Sequence, residues 1–327
     1  MRLLLKGLFA TILLLVLVVG LYFYIDAKAP LPSHITYGLT YSPRYATFLG
    51  LDWRQGYLEV LRDLRPTEIR LMAYWDEVAP TPTNYHFDDL DFMLNEAGKN
   101  NIKVILAVGQ KLPRWPECYQ PAWVKDDFKI SLFSYLATVV GRYKANPTLK
   151  YWQVENEPYF GFGKCPIDPQ KTIDEEVALV KKLDSLHPII VTDSGEWGAF
   201  NHVNDLADFL GISLYRRAQN DILGDVTFPL PANYYKIKTD LLGWNKNRVI
   251  LTELQMEPWF KDGVDKTSIS DQLKLFNAQT FRDNLAFANR SGFNNILLWG
   301  TEWWLYLKEQ GHPEVWEAAR GAFNLES

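Results

Sequence analysis

Short apolar runs alternate with amphipathic runs along the chain from residue 35 onwards. The apolar runs are rich in valine and isoleucine and too short for helices, which is typical of buried strands in a parallel sheet. These runs predict strands at 35–40, 68–74, 103–108, 149–154, 189–192, 209–214, 248–252 and 295–299.

Between and after these strands, apolar residues recur at helical spacing. The segments concerned predict helices at 51–64, 87–99, 128–144, 173–186, 201–207, 233–244, 269–291 and 314–323. Eight strand–helix units in roughly 300 residues match an α/β fold, a single (β/α)8 TIM barrel, which we predict at 30–327. An open doubly wound sheet is the alternative, but the turn at 38–43 has only one glycine and lacks the pattern of a phosphate site.

The amino terminus has a different pattern, because the run 7–25 carries no charge and follows Arg2 and Lys6. Its length is close to the roughly 20 residues that cross a bilayer as a helix. We therefore expect residues 1–29 to be an N-terminal transmembrane helix, a signal anchor, followed by a linker. The positive flank places the short end in the cytoplasm and the barrel outside it, at the cell membrane. A cleaved signal peptide, with secretion, is the alternative.

Composition is that of a globular protein, with 327 residues of which 47% are hydrophobic and 22% charged. The net charge of −5 gives no basis for a nucleic-acid partner. Tryptophan and tyrosine number 12 and 17. Their flat apolar faces and polar edges suit sugar rings as well as a protein core.

The two cysteines, Cys118 and Cys165, fall in loops after neighbouring predicted strands. An exported protein could join them in a disulfide, although two free thiols are equally compatible with the sequence. The five histidines are scattered without the spacing of metal ligands. We therefore expect neither a metal nor another cofactor.

Two glutamates end strand-like runs, Glu157 in the segment 151–158 and Glu253 in the segment 248–253. A carboxylate at the end of a buried strand is costly unless it has a role. Two of them, several strand–helix units apart, are what glycoside hydrolysis needs as acid/base and nucleophile.

The sequence Asn156-Glu157-Pro158 at the fourth strand and Thr252-Glu253 at the seventh resemble glycoside hydrolase clan A. This clan contains family 5 cellulases and mannanases and family 42 β-galactosidases, all of them retaining (β/α)8 enzymes. The resemblance implies that Glu157 is the acid/base and Glu253 the nucleophile. It also implies that Asn156 donates a hydrogen bond to the sugar 2-hydroxyl.

Two other glutamates compete for these roles. Glu155 lies on the same side of its strand as Glu157 but deeper, so we expect structural hydrogen bonds for it. Glu257 follows the seventh strand and is expected to line the cleft. The alternative for Glu157 itself is a solvated glutamate in a turn.

The resemblance extends to residues expected to bind the substrate or hold the nucleophile. It implies that Arg70 pairs with the nucleophile, that Tyr215 donates a hydrogen bond to it, and that Trp299 lies under the cleaved sugar. A structural or packing role is the alternative for each. Trp75 begins a segment that resembles family 42 imperfectly.

Trp197 and Trp303 fall just past strand ends and are further candidates for sugar contact, with core packing as the alternative. The long connection at 109–127, rich in proline and tryptophan, is expected to wall the cleft.

These observations predict a retaining β-glycoside hydrolase that acts on a β-linked oligo- or polysaccharide through a glycosyl-enzyme intermediate. A transglycosylase with the same glutamate pair is one alternative. A non-catalytic carbohydrate-binding barrel at the cell surface is another, although such a module gains nothing from the pair.

Overall fold

The computed structural model describes residues 2–27, 32, 34–220, 224–260 and 262–324. Eight parallel strands close into a barrel in the order β1-β10-β9-β6-β5-β4-β3-β2. The barrel strands are β1 (Thr36–Thr40), β2 (Glu68–Met72), β3 (Lys103–Val108), β4 (Leu149–Val154), β5 (Ile189–Asp193), β6 (Phe209–Leu214), β9 (Val249–Gln255) and β10 (Asn295–Trp299). The two remaining strands, β7 (Arg217–Asn220) and β8 (Gly224–Thr227), form an antiparallel hairpin after β6.

A helix precedes the first barrel strand, and helices that lie between and after the strands cover the outside of the barrel. The α-helices are α1 (Arg2–Ala27), α2 (Pro43–Phe48), α3 (Trp53–Asp63), α4 (Trp75–Val78), α5 (Asp88–Lys99), α6 (Phe128–Tyr143), α7 (Ile173–Leu183), α8 (Asn201–Asn204), α9 (Tyr234–Leu241), α10 (Ile269–Leu275), α11 (Ala278–Asn289), α12 (Thr301–Glu309) and α13 (Glu314–Asn324). Short 3-10 helices occur at Pro169–Lys171, Lys246–Arg248 and Val264–Lys266.

The strands are buried on both faces, which explains why they read as continuous apolar runs. Ile105, Ile190, Ile250 and Leu297 form a small cluster of their own, separate from the main core. They come from four different strands, and their separation from the helix-packed core places them inside the barrel. The polar ends of the strands therefore meet at one mouth, above this apolar layer.

The predicted (β/α)8 barrel is confirmed. The predicted helix at 269–291 is divided into α10 and α11, because Asn277 caps a new helix by accepting hydrogen bonds from the N–H groups of Gln279 (2.9 Å) and Thr280 (3.1 Å). The hairpin of β7 and β8 was not predicted.

The predicted transmembrane helix at 1–29 is wrong. The helix α1 is present, but among the described stretches of the chain no helix is long and apolar enough to cross a membrane. The expected membrane partner therefore has no support. The predicted domain boundary between residues 29 and 30 lies outside the described residues.

Candidate active site

A bulge near the end of β9 presents Glu253 at the barrel mouth. Pairing with β6 shifts between Ile212, which faces Leu251, and Ser213, which faces Glu253, so β9 has one extra residue there. Such a bulge changes the direction of the side chains that follow it and is frequent beside active sites.

Two donors hold the Glu253 carboxylate. Arg70 is fully buried and its Nη2 donates to Glu253 Oε1 at 2.8 Å, while Tyr215 donates its hydroxyl to Oε2 at 2.9 Å. Arg70 is in turn fixed by Thr40, whose Oγ1 accepts from Nε at 2.9 Å. The hydrogen bond from the guanidinium and the one from the phenol together fix the orientation of the Glu253 carboxylate.

Glu157 lies just past β4 on a strained backbone. Its φ is +43° and that of Glu155 is +58°, a region that residues with a Cβ seldom occupy. The backbone N–H of Glu157 donates to Thr192 Oγ1 at 2.7 Å, and the Ser213 hydroxyl donates to Glu157 Oε1 at 2.7 Å. Asn156, between the two glutamates, has its amide oxygen 3.3 Å from Thr192 Oγ1. Strain of this kind persists where the surrounding contacts enforce it, and it concentrates at functional sites.

The two carboxyl groups have different surroundings. Burial raises the pKa of Glu157 to about 8, with a further contribution from the negative charge of Glu253, while the hydrogen bond from Ser213 acts in the other direction. A carboxyl group with this pKa is protonated at neutral pH and available as an acid. Glu253, the second carboxyl group, forms an ion pair with the Arg70 guanidinium.

The Glu155 carboxylate accepts hydrogen bonds from the loop that follows β3. Its Oε1 and Oε2 accept hydrogen bonds of 2.6 Å from the backbone N–H groups of Gln110 and Lys111. A Cβ at Gly109, where φ is +130°, would collide with this carboxylate. The structural hydrogen bonds expected for Glu155 are present.

We expect Glu155→Gln to lower the free energy of unfolding by about 2 kcal/mol, because an amide can accept only one of the two backbone hydrogen bonds. Glu175→Gln on the exposed side of α7 is the matched control and should change it by less than about 0.5 kcal/mol. Urea denaturation of the two variants checks this, and equal stabilities would contradict a structural role for Glu155.

Trp299 ends β10, but an arginine covers its ring. The Arg114 guanidinium lies 4.0 Å from the Trp299 ring centroid and 3.9 Å from that of Tyr45. Arg114 also pairs with Glu257 and Glu302, so it ties the loop after β3 to the loop after β9 and to the first turn of α12. Trp299 is only 7% exposed. The ring that was expected to lie under the cleaved sugar therefore also contacts the Arg114 guanidinium.

A cavity of about 650 Å³ opens at the barrel mouth. Glu253, Tyr215 and Trp299 line its inner part. Glu257 lines it as well, as expected from its place after the seventh barrel strand. Among the described residues, no group of three or more His, Cys, Asp and Glu side chains could hold a metal ion.

Comparison with known proteins gives two kinds of relative, and no known family model matches the chain. Mannan endo-1,4-beta-mannosidase 1 of Arabidopsis thaliana is 28% identical over 155 residues, which is 42% of this chain and 36% of that protein. Mannan endo-1,4-beta-mannosidase 8 of Oryza sativa subsp. japonica is 29% identical over 148 residues, 35% of this chain and 38% of that protein. The chain thus spans little more than a third of the length of these curated relatives.

Solved structures share the fold. The GH5_18 protein of Streptomyces cattleya, in complex with GlcNAc, gives a TM-score of 0.58 at 13% identity and covers 81% of this chain and 70% of that one. An exo-beta-1,4-mannosidase of Opitutaceae bacterium strain TAV5 gives 0.54 at 14% identity, with 81% and 52% covered. The mannan endo-1,4-beta-mannosidase relatives bear out the predicted resemblance to glycoside hydrolase clan A, of the family 5 type, and the solved structures show the shared barrel fold.

Five of the residues implied by the clan A resemblance lie close together. Arg70, Asn156, Glu157, Tyr215 and Glu253 come together at the barrel mouth, with hydrogen bonds from Arg70 and Tyr215 to Glu253.

Three of the predicted tryptophans lie elsewhere. Trp75 is fully buried and stacks on Tyr135 at 5.6 Å, and Trp303 is fully buried with its Nε1 donating to Gln272 Oε1 at 2.7 Å. For both, the packing interpretation applies. Trp197 is 68% exposed on the loop after β5, with its ring edge-to-face against Phe228 at 5.7 Å.

Several residues that shape this site were not predicted. Ser213 and Thr192 could have been found, because each is a polar residue inside an apolar strand. Lys111 is buried, and its Nζ donates to the carbonyl oxygens of Glu157 (2.9 Å) and Phe160 (2.7 Å). Neither Lys111 nor Arg114 has a sequence signal, since both lie in an irregular loop.

Cys118 and Cys165 form a disulfide with Cα atoms 5.0 Å apart. It joins the loop after β3 to the loop after β4, which carries Glu157. The sequence allows either a disulfide or two free thiols, and the structure has the disulfide.

Proposed function

We propose that the protein is a retaining β-glycoside hydrolase that cleaves a β-linked oligo- or polysaccharide through a glycosyl-enzyme intermediate. The observation that carries this proposal is the buried pair of Glu157, with its pKa raised to about 8, and Glu253, paired with Arg70. A binding module has no need of a carboxyl group that holds its proton beside a second carboxyl group fixed by an arginine. The partial similarity to mannan endo-1,4-beta-mannosidases supports β-mannosides as the first substrates to test.

In the first step, Glu253 attacks the anomeric carbon and the bond to the leaving oxygen breaks. Glu157 gives its proton to that oxygen, which leaves as an alcohol. Arg70 and Tyr215 keep the carboxylate of Glu253 in place for the attack. Asn156, whose amide oxygen is held near Thr192, donates its amide N–H to the sugar 2-hydroxyl.

In the second step, the glycosyl ester has no charge on Glu253. The contribution of that charge to the pKa of Glu157 therefore disappears, and the now ionised Glu157 becomes a base. It takes a proton from water, the water oxygen bonds to the anomeric carbon, and Glu253 leaves as a carboxylate. The two displacements return the original β configuration.

The stereochemistry of the first product tests this mechanism. We expect ¹H NMR of the full chain acting on aryl β-mannosides, β-glucosides or β-galactosides to show the β-anomer of the released sugar before mutarotation. An α-anomer appearing first would rule out a glycosyl-enzyme on Glu253, and no turnover of any β-glycoside by the folded protein would contradict the proposed function.

We also propose that the barrel works outside the cytoplasm, as the disulfide of Cys118 and Cys165 supports. Structural disulfides persist in oxidising compartments and are rare in the cytosol. Alkaline phosphatase fused to the carboxyl terminus, which is active only where its own disulfides form, checks this location.

A further inference from the structure

Four aromatic rings form a continuous line along the cavity wall, and we call them the aromatic strip: Tyr215, Trp259, Phe162 and Trp115. Successive ring centroids are 5.5 Å apart from Tyr215 to Trp259, 5.7 Å from Trp259 to Phe162, and 5.5 Å from Phe162 to Trp115. All four side chains line the cavity that contains Glu253.

The inner end of the aromatic strip touches the reacting groups, and the outer end is open to solvent. The Tyr215 hydroxyl donates to Glu253 at 2.9 Å. Trp259 is 39% exposed and Trp115 is 57% exposed. Large aromatic surfaces left in water are unfavourable, and where they continue from a catalytic pocket they mark a ligand surface.

The chain fixes the outer end of the aromatic strip firmly. Trp115 and Phe162 stand on the two loops that the disulfide of Cys118 and Cys165 joins. The backbone N–H of Lys164 donates to the carbonyl oxygen of Pro116 at 3.0 Å, and the Lys164 ammonium lies 5.2 Å from the Trp115 ring centroid. A surface built in this way is ordered before a ligand arrives, so binding needs little further loss of conformational freedom.

The outer end lies on the side of the acid/base. Phe162 belongs to the loop after β4 that carries Glu157, and Lys111 binds this loop through the carbonyl oxygens of Glu157 and Phe160. The group that receives the proton of Glu157 is the leaving group. The sugars attached to that group therefore extend toward Phe162 and Trp115.

We propose that the aromatic strip binds the leaving-group sugars of a β-linked oligosaccharide, so that the enzyme acts on a glycan rather than on a simple glycoside. This inference rests on the proposed hydrolase function. Pyranose rings present apolar C–H faces, which stack on the flat faces of Trp and Phe while their hydroxyl groups remain in water.

The test compares two substrates of the same sugar: a β-linked tetrasaccharide and the corresponding β-glycosyl fluoride, whose leaving group is a single atom. We expect Trp115→Ala to lower the ratio of kcat/KM for the tetrasaccharide to that for the fluoride by about 2- to 10-fold, as the loss of one aromatic contact predicts. Trp259→Ala should do the same. Trp197→Ala removes an even more exposed ring on another loop and should leave the ratio unchanged.

The outcomes separate this inference from the proposed function. A wild-type chain that turns over neither substrate overturns the hydrolase function itself. A wild-type chain that turns over both, with ratios unaffected by Trp115→Ala and Trp259→Ala, overturns only the aromatic strip as a binding surface. A fall in the ratio with Trp197→Ala alone would place the leaving-group sugars at the loop after β5 instead.

Discussion

Replacing Glu253 by glutamine is expected to lower kcat on an aryl β-glycoside by about 10,000-fold or more, because an amide cannot form the glycosyl ester. Glutamine has the same shape, and its amide oxygen can still accept the hydrogen bond from Arg70, so the fold should persist. Steady-state kinetics with an aryl glycoside measure the loss, and circular dichroism with thermal unfolding shows whether the variant is folded.

The matched control is Glu257→Gln, four residues further along the same segment. Glu257 forms an ion pair with Arg114 in the cavity wall, whereas Arg70 and Tyr215 bind Glu253. Replacement of Glu257 should therefore weaken substrate binding more than it lowers kcat. A second check uses Glu253→Ala with added azide, a small anion that can enter the space left by the carboxylate. The azide should restore turnover and give the α-glycosyl azide, since only one displacement then occurs. Full activity of Glu253→Gln would assign the nucleophile to another residue.

The position of the catalytic pair could be predicted because it depends on features that a sequence expresses directly. Apolar runs give the barrel strands, and the carboxyl ends of those strands meet at one mouth. Glu157 and Glu253 each follow such a run, so their proximity follows from topology alone.

The fine geometry could not be predicted, because it depends on contacts between distant segments. The bulge that turns Glu253 toward the mouth appears only in the pairing of β9 with its neighbours. Arg114 reaches Glu257 and Glu302 across the barrel, and no local pattern in an irregular loop indicates this.

The roles of individual aromatic residues could not be predicted from the sequence either. Trp75, buried in the core, and Trp115, exposed on the rim, both lie after predicted strands in segments rich in aromatic and proline residues. Their different roles come from which elements pack against them: α6 covers Trp75, while Trp115 meets only Phe162 and Lys164 among its described ring contacts. Sequence composition therefore indicates that sugar-binding rings are available but not which rings bind.

Glu157→Gln is expected to slow the reaction of substrates with a poor leaving group much more than that of substrates with a good one. A poor leaving group such as a sugar needs the proton of Glu157, so hydrolysis of an oligosaccharide should fall by about 100- to 10,000-fold. A 2,4-dinitrophenyl glycoside leaves without a proton, so formation of the glycosyl-enzyme should change little and the intermediate should accumulate. Rapid-quench kinetics with mass spectrometry of the intact protein would detect it. Equal losses on both substrates would contradict an acid role for Glu157.

The pH dependence gives an independent measure of the same group. Because burial and the charge of Glu253 raise the pKa of Glu157 to about 8, the protonated acid is present below that pH and is lost above it. We therefore expect kcat/KM of the wild type on an oligosaccharide to decline above about pH 8, by tenfold for each further pH unit. The decline should be absent in Glu157→Gln. In Glu253→Gln the pKa of Glu157 should be lower, since removal of the negative charge removes part of the cause of the raised pKa. Because this variant cannot form the glycosyl ester, its Glu157 carboxyl is titrated directly by ¹³C NMR rather than through turnover. An unshifted pKa in Glu253→Gln would mean that burial alone sets the proton affinity of Glu157, and that Glu253 does not switch it from acid to base between the two steps.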